Sequence, residues 1–176
     1  MRDQLRALLS ETIQTGEITL ASGRTTDFYF DGRLVTLDPK GLSLVSQVAF
    51  EVLSGRCDAV GGPTSGADPI VAGIGQVSLG SGSPLKTFFT RKEAKGHGMG
   101  RRIEGPALAD GDRVFIVDDV ATSGGSLIQA ANVVTEDTGA KVVGALVIVD
   151  RQEGATEKLA EAGITLESLF RRADFT

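Results

Sequence analysis

From about residue 58 onward, short apolar segments alternate with amphipathic ones, and this alternation limits the possible folds more than any other feature of the chain. The apolar segments are predicted strands at 58–62, 85–90, 112–120, 140–150 and 164–170. The segments between them are predicted helices at 65–79, 125–139 and 155–163. Strands that are apolar on both faces and alternate with helices indicate a parallel sheet that is covered on two sides. The sequence therefore predicts an α/β fold with a central, mostly parallel sheet flanked by helices.

The N-terminal part of the chain has a different pattern. Residues 3–15 carry apolar side chains at helical spacing, and Gly16 is predicted to end this first helix. The segment 17–35 is typical of short strands around a turn at residues 22–23. We therefore expect a small helix-and-hairpin unit before the alternating region.

A second helix and one long loop complete the predicted organisation. Asp38 is a suitable N-cap and Pro39 a suitable first residue for a helix that runs to about Leu53. The segment Arg91 to Asp110 has no predicted regular structure. A loop of about this length inside a compact domain is usually functional.

Composition excludes several classes of protein. The 176 residues fit one domain, and 41% hydrophobic with 23% charged residues is a globular composition. The apolar runs are too short to span a bilayer, and the N-terminus lacks the apolar core of a secretory signal, so cytoplasmic residence is predicted. One cysteine and one histidine cannot form an internal disulfide or a zinc site of the usual kind. The net charge of −5 argues against a general nucleic-acid binder.

The strand at 112–120 ends in two adjacent carboxylates, Asp118 and Asp119, and the sequence Thr-Ser-Gly-Gly-Ser follows at 122–126. Ligands of open α/β sheets bind beyond the carboxyl ends of the strands. Because neighbouring strand residues point to opposite faces, we expect the two carboxylates to meet hydroxyls and a cation rather than each other. Glycines let a backbone approach a phosphate, and the N–H groups that open the next helix point at it. Carboxylates for sugar hydroxyls beside such a turn suit a ribose 5-phosphate.

A basic cluster lies in the long loop. Residues Arg91 to Arg102 include five Lys or Arg residues and one Glu, although the whole chain is acidic. A local cationic cluster in an acidic protein indicates a small anionic ligand. Gly96, Gly98 and Gly100 interrupt the cluster and allow the backbone to hinge.

Four stretches of the chain resemble motifs of one enzyme family. VFIVDDVATSGGS (114–126) resembles the phosphoribosyl diphosphate motif of the type I phosphoribosyltransferases. LASGRTTDFYFDGR (20–33), RKEAKGHGMGRRIEG (91–105) and VIVDRQEG (147–154) resemble motifs of the orotate phosphoribosyltransferases within that group. The resemblance implies the type I phosphoribosyltransferase fold as a single domain, 1–176. A small hood over the base site would come from residues 1–35 and the C-terminal end.

The family's reaction then becomes the expectation for this chain. It is the Mg²⁺-dependent transfer of ribose 5-phosphate from 5-phosphoribosyl 1-diphosphate (PRPP) to orotate. The products are orotidine 5′-monophosphate and diphosphate, in de novo pyrimidine (UMP) synthesis. The resemblance also implies a homodimer in which the loop 91–104 reaches the neighbouring active site.

Site residues carry over from the motifs position by position. The implied catalytic residues are Lys95, Asp118 and Asp119. The implied PRPP-binding residues are Arg91, Lys92, Lys95, His97, Asp118, Asp119, Val120, Ala121, Thr122, Ser123, Gly124, Gly125, Ser126, Thr64 and Ser65. The implied orotate-binding residues are Thr122, Arg151, Tyr29 and Phe30. Mg²⁺ would bind through the diphosphate and the ribose hydroxyls, with Asp118 and Asp119 as further ligands.

Several alternatives remain open at this stage. The aromatic residues 28–30 either stack on the base or pack a core. The acceptor is either orotate or a purine, and Arg151 favours the acidic base because a guanidinium matches a carboxylate. A regulator that keeps the ligand site but binds nucleic acid is a third possibility. The chain lacks lysines found in some relatives, at Ala21 and in the turn 61–69, which leaves fewer cations for anionic ligands.

Overall fold

The computed structural model describes residues 1–19, 23, 25–93 and 101–176. Six of its strands form one sheet, with the hairpin strands β1 and β2 apart from it. The strands are β1 (Gln14–Thr19), β2 (Thr25–Tyr29), β3 (Ala59–Pro63), β4 (Lys86–Thr90), β5 (Ile103–Glu104), β6 (Arg113–Ala121), β7 (Lys141–Asp150) and β8 (Leu166–Arg171). The helices are α1 (Arg2–Thr12), α2 (Arg33–Thr36), α3 (Pro39–Leu53), α4 (Asp68–Gly80), α5 (Gly125–Asp137) and α6 (Ala155–Glu161). A 3₁₀ turn at Arg172–Asp174 follows β8.

The predicted sheet is confirmed. Its strand order is β5-β4-β3-β6-β7-β8, and every pairing is parallel except that of β5 with β4. The chain leaves β3 for β4 on one side and later returns to β6 on the other side. Strand order therefore reverses between β3 and β6, and ligands of such sheets bind at this reversal, beyond the carboxyl ends of the strands.

Strand β6 shows why this sheet needs helices on both faces. Phe115 and Val117 pack into the core beneath α3 and α4, whereas Val114 and Ile116 pack into a second core beneath α5 and α6. All four side chains are at most 2% exposed. Burying one such side chain contributes about 1.5–3 kcal/mol. The two-residue period of the strand thus fills both cores at once.

The start of α3 agrees with its sequence. Asp38 is the N-cap, and its Oδ1 accepts a 2.8 Å hydrogen bond from the backbone N–H of Gly41. Pro39 is the first helical residue, where a missing N–H has no consequence.

Three local predictions were wrong. The first helix ends at Thr12, and Gly16 instead lies in β1 at a register irregularity with φ +104°, a conformation that glycine permits at a bulge. Residues 33–36 form the short helix α2 rather than part of a strand. The segment 91–110 is not wholly irregular, because β5 pairs with the end of β4.

The two ends of the chain lie together. Arg6 donates a 2.6 Å hydrogen bond to the backbone oxygen of Asp174, and Arg2 donates one to that of Leu169. Arg172 pairs with Asp27 of the β1–β2 hairpin. The N-terminal helix and hairpin are therefore tied to the C-terminal strand, and the hood function of these segments stays a prediction. Within the described residues, no helix has the length and apolar character needed to cross a membrane.

Candidate active site

Two turns meet where strand order reverses. The turn after β3 carries Gly66, and the end of β6 carries Asp118 and Asp119. A Cβ atom placed on Gly66 would lie 2.5 Å from Asp118 Oδ1 and 2.9 Å from Asp119 Oδ1. Real Cβ atoms are not found so close to other atoms, so only glycine fits beside this pair of carboxylates.

The expectation that the two aspartates point apart was wrong. Both carboxylates approach Gly66, because the missing side chain leaves a gap that they share. The backbone N–H of Asp119 donates a 3.0 Å hydrogen bond to Asp118 Oδ1. Ser126, whose hydroxyl the sequence assigns to a phosphate, instead donates a 3.3 Å hydrogen bond from Oγ to Asp118 Oδ2, and the contact with sugar hydroxyls stays a prediction.

This arrangement places two like charges in a region largely removed from water. Burial raises the pKa of Asp118 to about 8, and the charge of Asp119 adds to the effect. Burial also raises the pKa of Asp119. The pair therefore holds one proton near neutral pH. Loss of that proton leaves two adjacent negative charges, which favour a bound cation.

The turn after β6 leads directly into α5. Gly124 has φ +74°, and a Cβ atom there would collide with the side chain of Leu159, so the position requires glycine. Thr122 is half-buried and Ser123 is exposed, while Ala121 is buried in the strand. The start of α5 lies near the acid pair, since the side chain of Ser126, its second residue, contacts Asp118. Anion binding by Val120–Ser126 stays a prediction. The turn from strand to helix start is of the kind that binds anions.

A cavity of about 250 Å³ lies between the N-terminal segment and these turns. Its lining residues are Tyr29, Phe30, Asp31, Gly32, Arg33, Ser65, Gly66, Asp119 and Val120. The structure thus brings together predicted residues from three distant parts of the chain.

The aromatic residues divide between the two open alternatives. Phe28 is fully buried in the core, with the Arg172 guanidinium 5.5 Å from its ring centroid. Tyr29 is half-buried and lines the cavity, and Phe30 lines it while being 6% exposed. Base stacking therefore has candidates in Tyr29 and Phe30, and Phe28 is a core residue.

Gly32 and Arg33 have no role in the sequence prediction. A Cβ atom on Gly32 would collide with the carboxylate of Asp119, so this glycine lets the start of α2 touch the acid pair. Arg33 lines the same cavity. Both residues lie in the quoted 20–33 motif, and a glycine followed by a cation directly after a strand is the signal for them.

Arg151 connects β7 to the hairpin. Its Nη2 donates hydrogen bonds to Thr26 Oγ1 at 3.1 Å and to the backbone oxygen of Phe28 at 3.0 Å, and it pairs with Glu153. Its Nε is buried and has no hydrogen-bond partner among the described residues. A buried N–H without a partner is uncommon in proteins and indicates a place for a further acceptor.

The basic cluster is described only at its two ends. Arg91 pairs with Glu104 at 3.2 Å and lies 5.5 Å from the ring centroid of Phe89, while Lys92 is exposed. Lys95 and His97 lie outside the described residues, and their predicted contacts with the diphosphate stay predictions. On the β3 side, Thr64 Oγ1 donates a 2.8 Å hydrogen bond to Asp68, and Ser65 is exposed at the cavity.

The donor set near the acid pair suits magnesium only together with a substrate. No group of three or more His, Cys, Asp or Glu side chains capable of holding a metal occurs in residues 1–19, 23, 25–93 and 101–176. Mg²⁺ is commonly bound by one or two carboxylates together with substrate phosphates and water. Asp118 and Asp119 fit that partial role.

A phosphate-type turn and an acid pair at a sheet reversal define the class of the protein, a phosphoribosyltransferase of type I fold. A family model for the phosphoribosyl transferase domain matches residues 33–169. An orotate phosphoribosyltransferase of Rhodopseudomonas palustris (strain TIE-1) is 44% identical over 97% of this chain and 95% of its own length.

Solved structures of the same kind of enzyme agree. Orotate phosphoribosyltransferase of Mycobacterium tuberculosis H37Rv in complex with Fe(III) dicitrate superposes with a TM-score of 0.85 and 36% identity, covering 99% of this chain and 98% of that one. Its complex with PRPP gives a TM-score of 0.80 and 32% identity, covering 99% and 98%. The chain belongs to the orotate phosphoribosyltransferase family.

The raised pKa of Asp118 predicts an unusual stability profile. Between the ordinary carboxyl pKa of 3.8 and about 8, the folded chain holds a proton that the unfolded chain releases, so stability falls as pH rises through this window. Asp118→Asn removes that penalty. We expect its melting temperature at pH 8.5 to exceed that of the wild type by about 3 °C or more, with a much smaller difference at pH 4.5.

Asp58→Asn is the matched control with the opposite sign. Arg113 holds the pKa of Asp58 down to about 2, so its replacement removes a stabilising charge instead of an unfavourable one. Calorimetric melting at the two pH values measures both variants. An Asp118→Asn gain that is absent at pH 8.5, or equally large at pH 4.5, contradicts the assignment.

Proposed function

We propose that the protein catalyses Mg²⁺-dependent transfer of ribose 5-phosphate from PRPP to orotate, forming orotidine 5′-monophosphate and diphosphate for pyrimidine synthesis. The observation that carries this proposal is the convergence of three segments on one cavity. These are the end of β6 with its acid pair, the turn after β3, and the aromatic segment before α2. Family membership supplies the substrates, since the related M. tuberculosis structure contains PRPP.

The acid pair suits the donor side of the reaction. The bond from the ribose C1 to the diphosphate oxygen breaks, and positive charge develops on the sugar. Asp118 and Asp119 would accept hydrogen bonds from the ribose hydroxyls and stabilise that charge at short range. When bound, Mg²⁺ supplies electrostatic stabilisation to the departing diphosphate. The turn Thr122–Ser126 would hold the 5-phosphate through its backbone N–H groups.

The acceptor side suits a planar acidic base. Tyr29 and Phe30 provide aromatic surface in the cavity. Arg151 is not among the described lining residues, but it donates a hydrogen bond to the backbone oxygen of Phe28, the residue before Tyr29. The buried Nε of Arg151 would donate to the orotate carboxylate. A nitrogen of the ring releases its proton to the departing diphosphate or to solvent and forms the new bond to C1 from the side opposite the diphosphate. The hairpin beside the cavity helps to exclude water, which would otherwise hydrolyse the donor.

The first test uses a panel of bases with PRPP and Mg²⁺. We expect orotate to be consumed, measured as loss of its absorbance, and adenine, guanine and uracil to be unreactive. Uracil is the sharpest control because it has the same ring without the carboxylate. Chelation of Mg²⁺ with EDTA should abolish turnover, and added Mg²⁺ should restore it. Purine turnover without orotate turnover would favour the purine enzyme, and tight RNA or DNA binding without turnover would favour a regulator.

Arg151→Ala tests the base site. We expect the KM for orotate to rise about tenfold or more, because a charge-assisted pair is lost, with the KM for PRPP within about twofold of wild type. Thr26→Ala is the control, since it removes one contact of Arg151 with the hairpin and leaves the guanidinium in place. Equal increases in both KM values, or the same profile in Thr26→Ala, would show that Arg151 only supports the hairpin.

We also propose the homodimer with exchanged loops that the family resemblance implies. Leu34 lies in α2, directly after the cavity residue Arg33, and Leu37 follows that helix; their side chains are 59% and 69% exposed. Large exposed apolar side chains next to a binding site suit a covering subunit. The loop 91–104 would then contribute Lys95 to the neighbouring site. Location in the cytoplasm likewise stays a prediction.

Mixed dimers test this exchange. Lys95→Ala and Asp119→Asn should each abolish most activity when alone. In a re-equilibrated one-to-one mixture, half of the dimers are mixed, and each contains one site with both functional residues. We expect about a quarter of wild-type activity to return. No recovery, in a mixture shown by mass to contain mixed dimers, would place each loop over its own site.

A further inference from the structure

Arg33 is one of the residues that line the cavity, together with Asp119 of the acid pair. It is the first residue of α2, directly after Gly32, whose missing side chain lets the carboxylate of Asp119 approach. Ser65 and Gly66 of the turn after β3 line the same cavity. The cavity is about 250 Å³, several times the roughly 30 Å³ share of one water molecule, and admits a compact polyanion.

An anion bound in this cavity needs a positively charged partner, because most of the charged lining residues are acidic. Of the described residues that line it, Asp31 and Asp119 carry carboxylates and Arg33 alone carries a positive charge. The turn 61–69 contains no Lys or Arg. An anion held against Ser65 and Gly66 therefore has Arg33 as its cationic partner from the described part of the chain.

Asp31 orients the side chain of Arg33 but accepts hydrogen bonds from only part of its guanidinium. Asp31 accepts hydrogen bonds from Arg33 Nε at 2.9 Å and from Nη2 at 3.0 Å. Nη1 makes no hydrogen bond to any residue that the structure describes, and the side chain is 62% exposed. A guanidinium has five donors in a rigid fork, so Asp31 fixes one edge of the fork and leaves the other available.

The neighbouring charges also keep the Arg33 guanidinium positively charged. The hydrogen bonds that Arg33 donates to Asp31 raise the pKa of Arg33, and the charges of Asp31 and Asp119 add to the effect. The side chain is thus permanently cationic and close to the place where an acid pair would share a metal ion with phosphate oxygens. An arginine fork matches phosphate oxygens in two positions at once.

We propose that Arg33 is a binding residue for the diphosphate group, both of the PRPP donor and of the released product, and that it provides the cation missing from the turn 61–69. The proposal rests on the function proposed above. It assigns to the N-terminal segment a direct contact with the leaving group. In this scheme the segment 29–33 contacts the acceptor through Tyr29 and Phe30 and the donor through Arg33.

The test measures binding of inorganic diphosphate with Mg²⁺ by calorimetry, together with steady-state kinetics. We expect Arg33→Ala to weaken diphosphate binding and to raise the KM for PRPP by about tenfold or more, with the KM for orotate within about twofold. Arg33→Lys keeps the charge but loses the fork, so we expect an intermediate loss. It also serves as the second variant if Arg33→Ala folds poorly.

Arg113→Ala is the matched control. Arg113 forms the same two-point pair with an aspartate, Asp58, but at the opposite end of the sheet where β6 begins. We expect it to bind diphosphate as the wild type does. Unchanged diphosphate affinity in Arg33→Ala, or an equal loss in Arg113→Ala, would overturn the proposal.

The outcomes also separate this inference from the proposed reaction. Failure of the wild type to consume orotate, with diphosphate binding that still depends on Arg33, would remove the reaction and keep the residue's role. A wild type that consumes orotate, with an Arg33→Ala variant of normal diphosphate affinity and normal KM values, would remove the role and keep the reaction.

Discussion

The site depends on the placement of two like charges at the end of a buried strand. Burial raises the pKa of both carboxyls, and the charge of Asp119 raises that of Asp118 further, so the neighbouring structure is shaped around an unfavourable pair. Gly66 and Gly32 contribute no side chains where the carboxylates need room. Ser126 provides a hydroxyl, and Arg33 provides a nearby positive charge. The two adjacent carboxylates raise the free energy of the folded protein. Cations and sugar hydroxyls offset that cost when they bind, so the site favours ligands that carry both.

Much of the fold follows from the sequence because one physical rule applies along most of it. Strands buried on both faces need apolar residues at consecutive positions. Strands β6 and β7 have such runs at 114–117 and 145–149, so their parallel arrangement was predictable. Asp38 and Pro39 fixed the start of α3 for equally local reasons. The family motifs supplied the site residues that these rules do not reach.

The features that the sequence did not predict share a cause, which is contact between parts of the chain that are distant in sequence. Strand β5 is two residues long and exists because β4 offers an edge, so no local pattern marks it. The shared direction of Asp118 and Asp119 depends on Gly66, about fifty residues earlier. The position of Arg33 on the cavity wall depends on how α2 meets β6. Strand alternation and residue propensities describe only local sequence, so they do not predict which distant residues leave room for a side chain.

The ends of the basic segment have a consequence for how such a protein can change. The backbone N–H of Arg91 donates a 2.8 Å hydrogen bond to the oxygen of Arg102, so the chain leaves and re-enters the scaffold at one point. Glu104 holds the outgoing side through Arg91, and Glu136 with Asp137 hold the returning side through Arg102. Residues added between these anchors need not disturb sheet register, and doubling a loop's length costs only about 0.6 kcal/mol in closure entropy. The stretch between these anchors is thus free to lengthen, shorten or exchange its chemistry while the sheet is inherited intact.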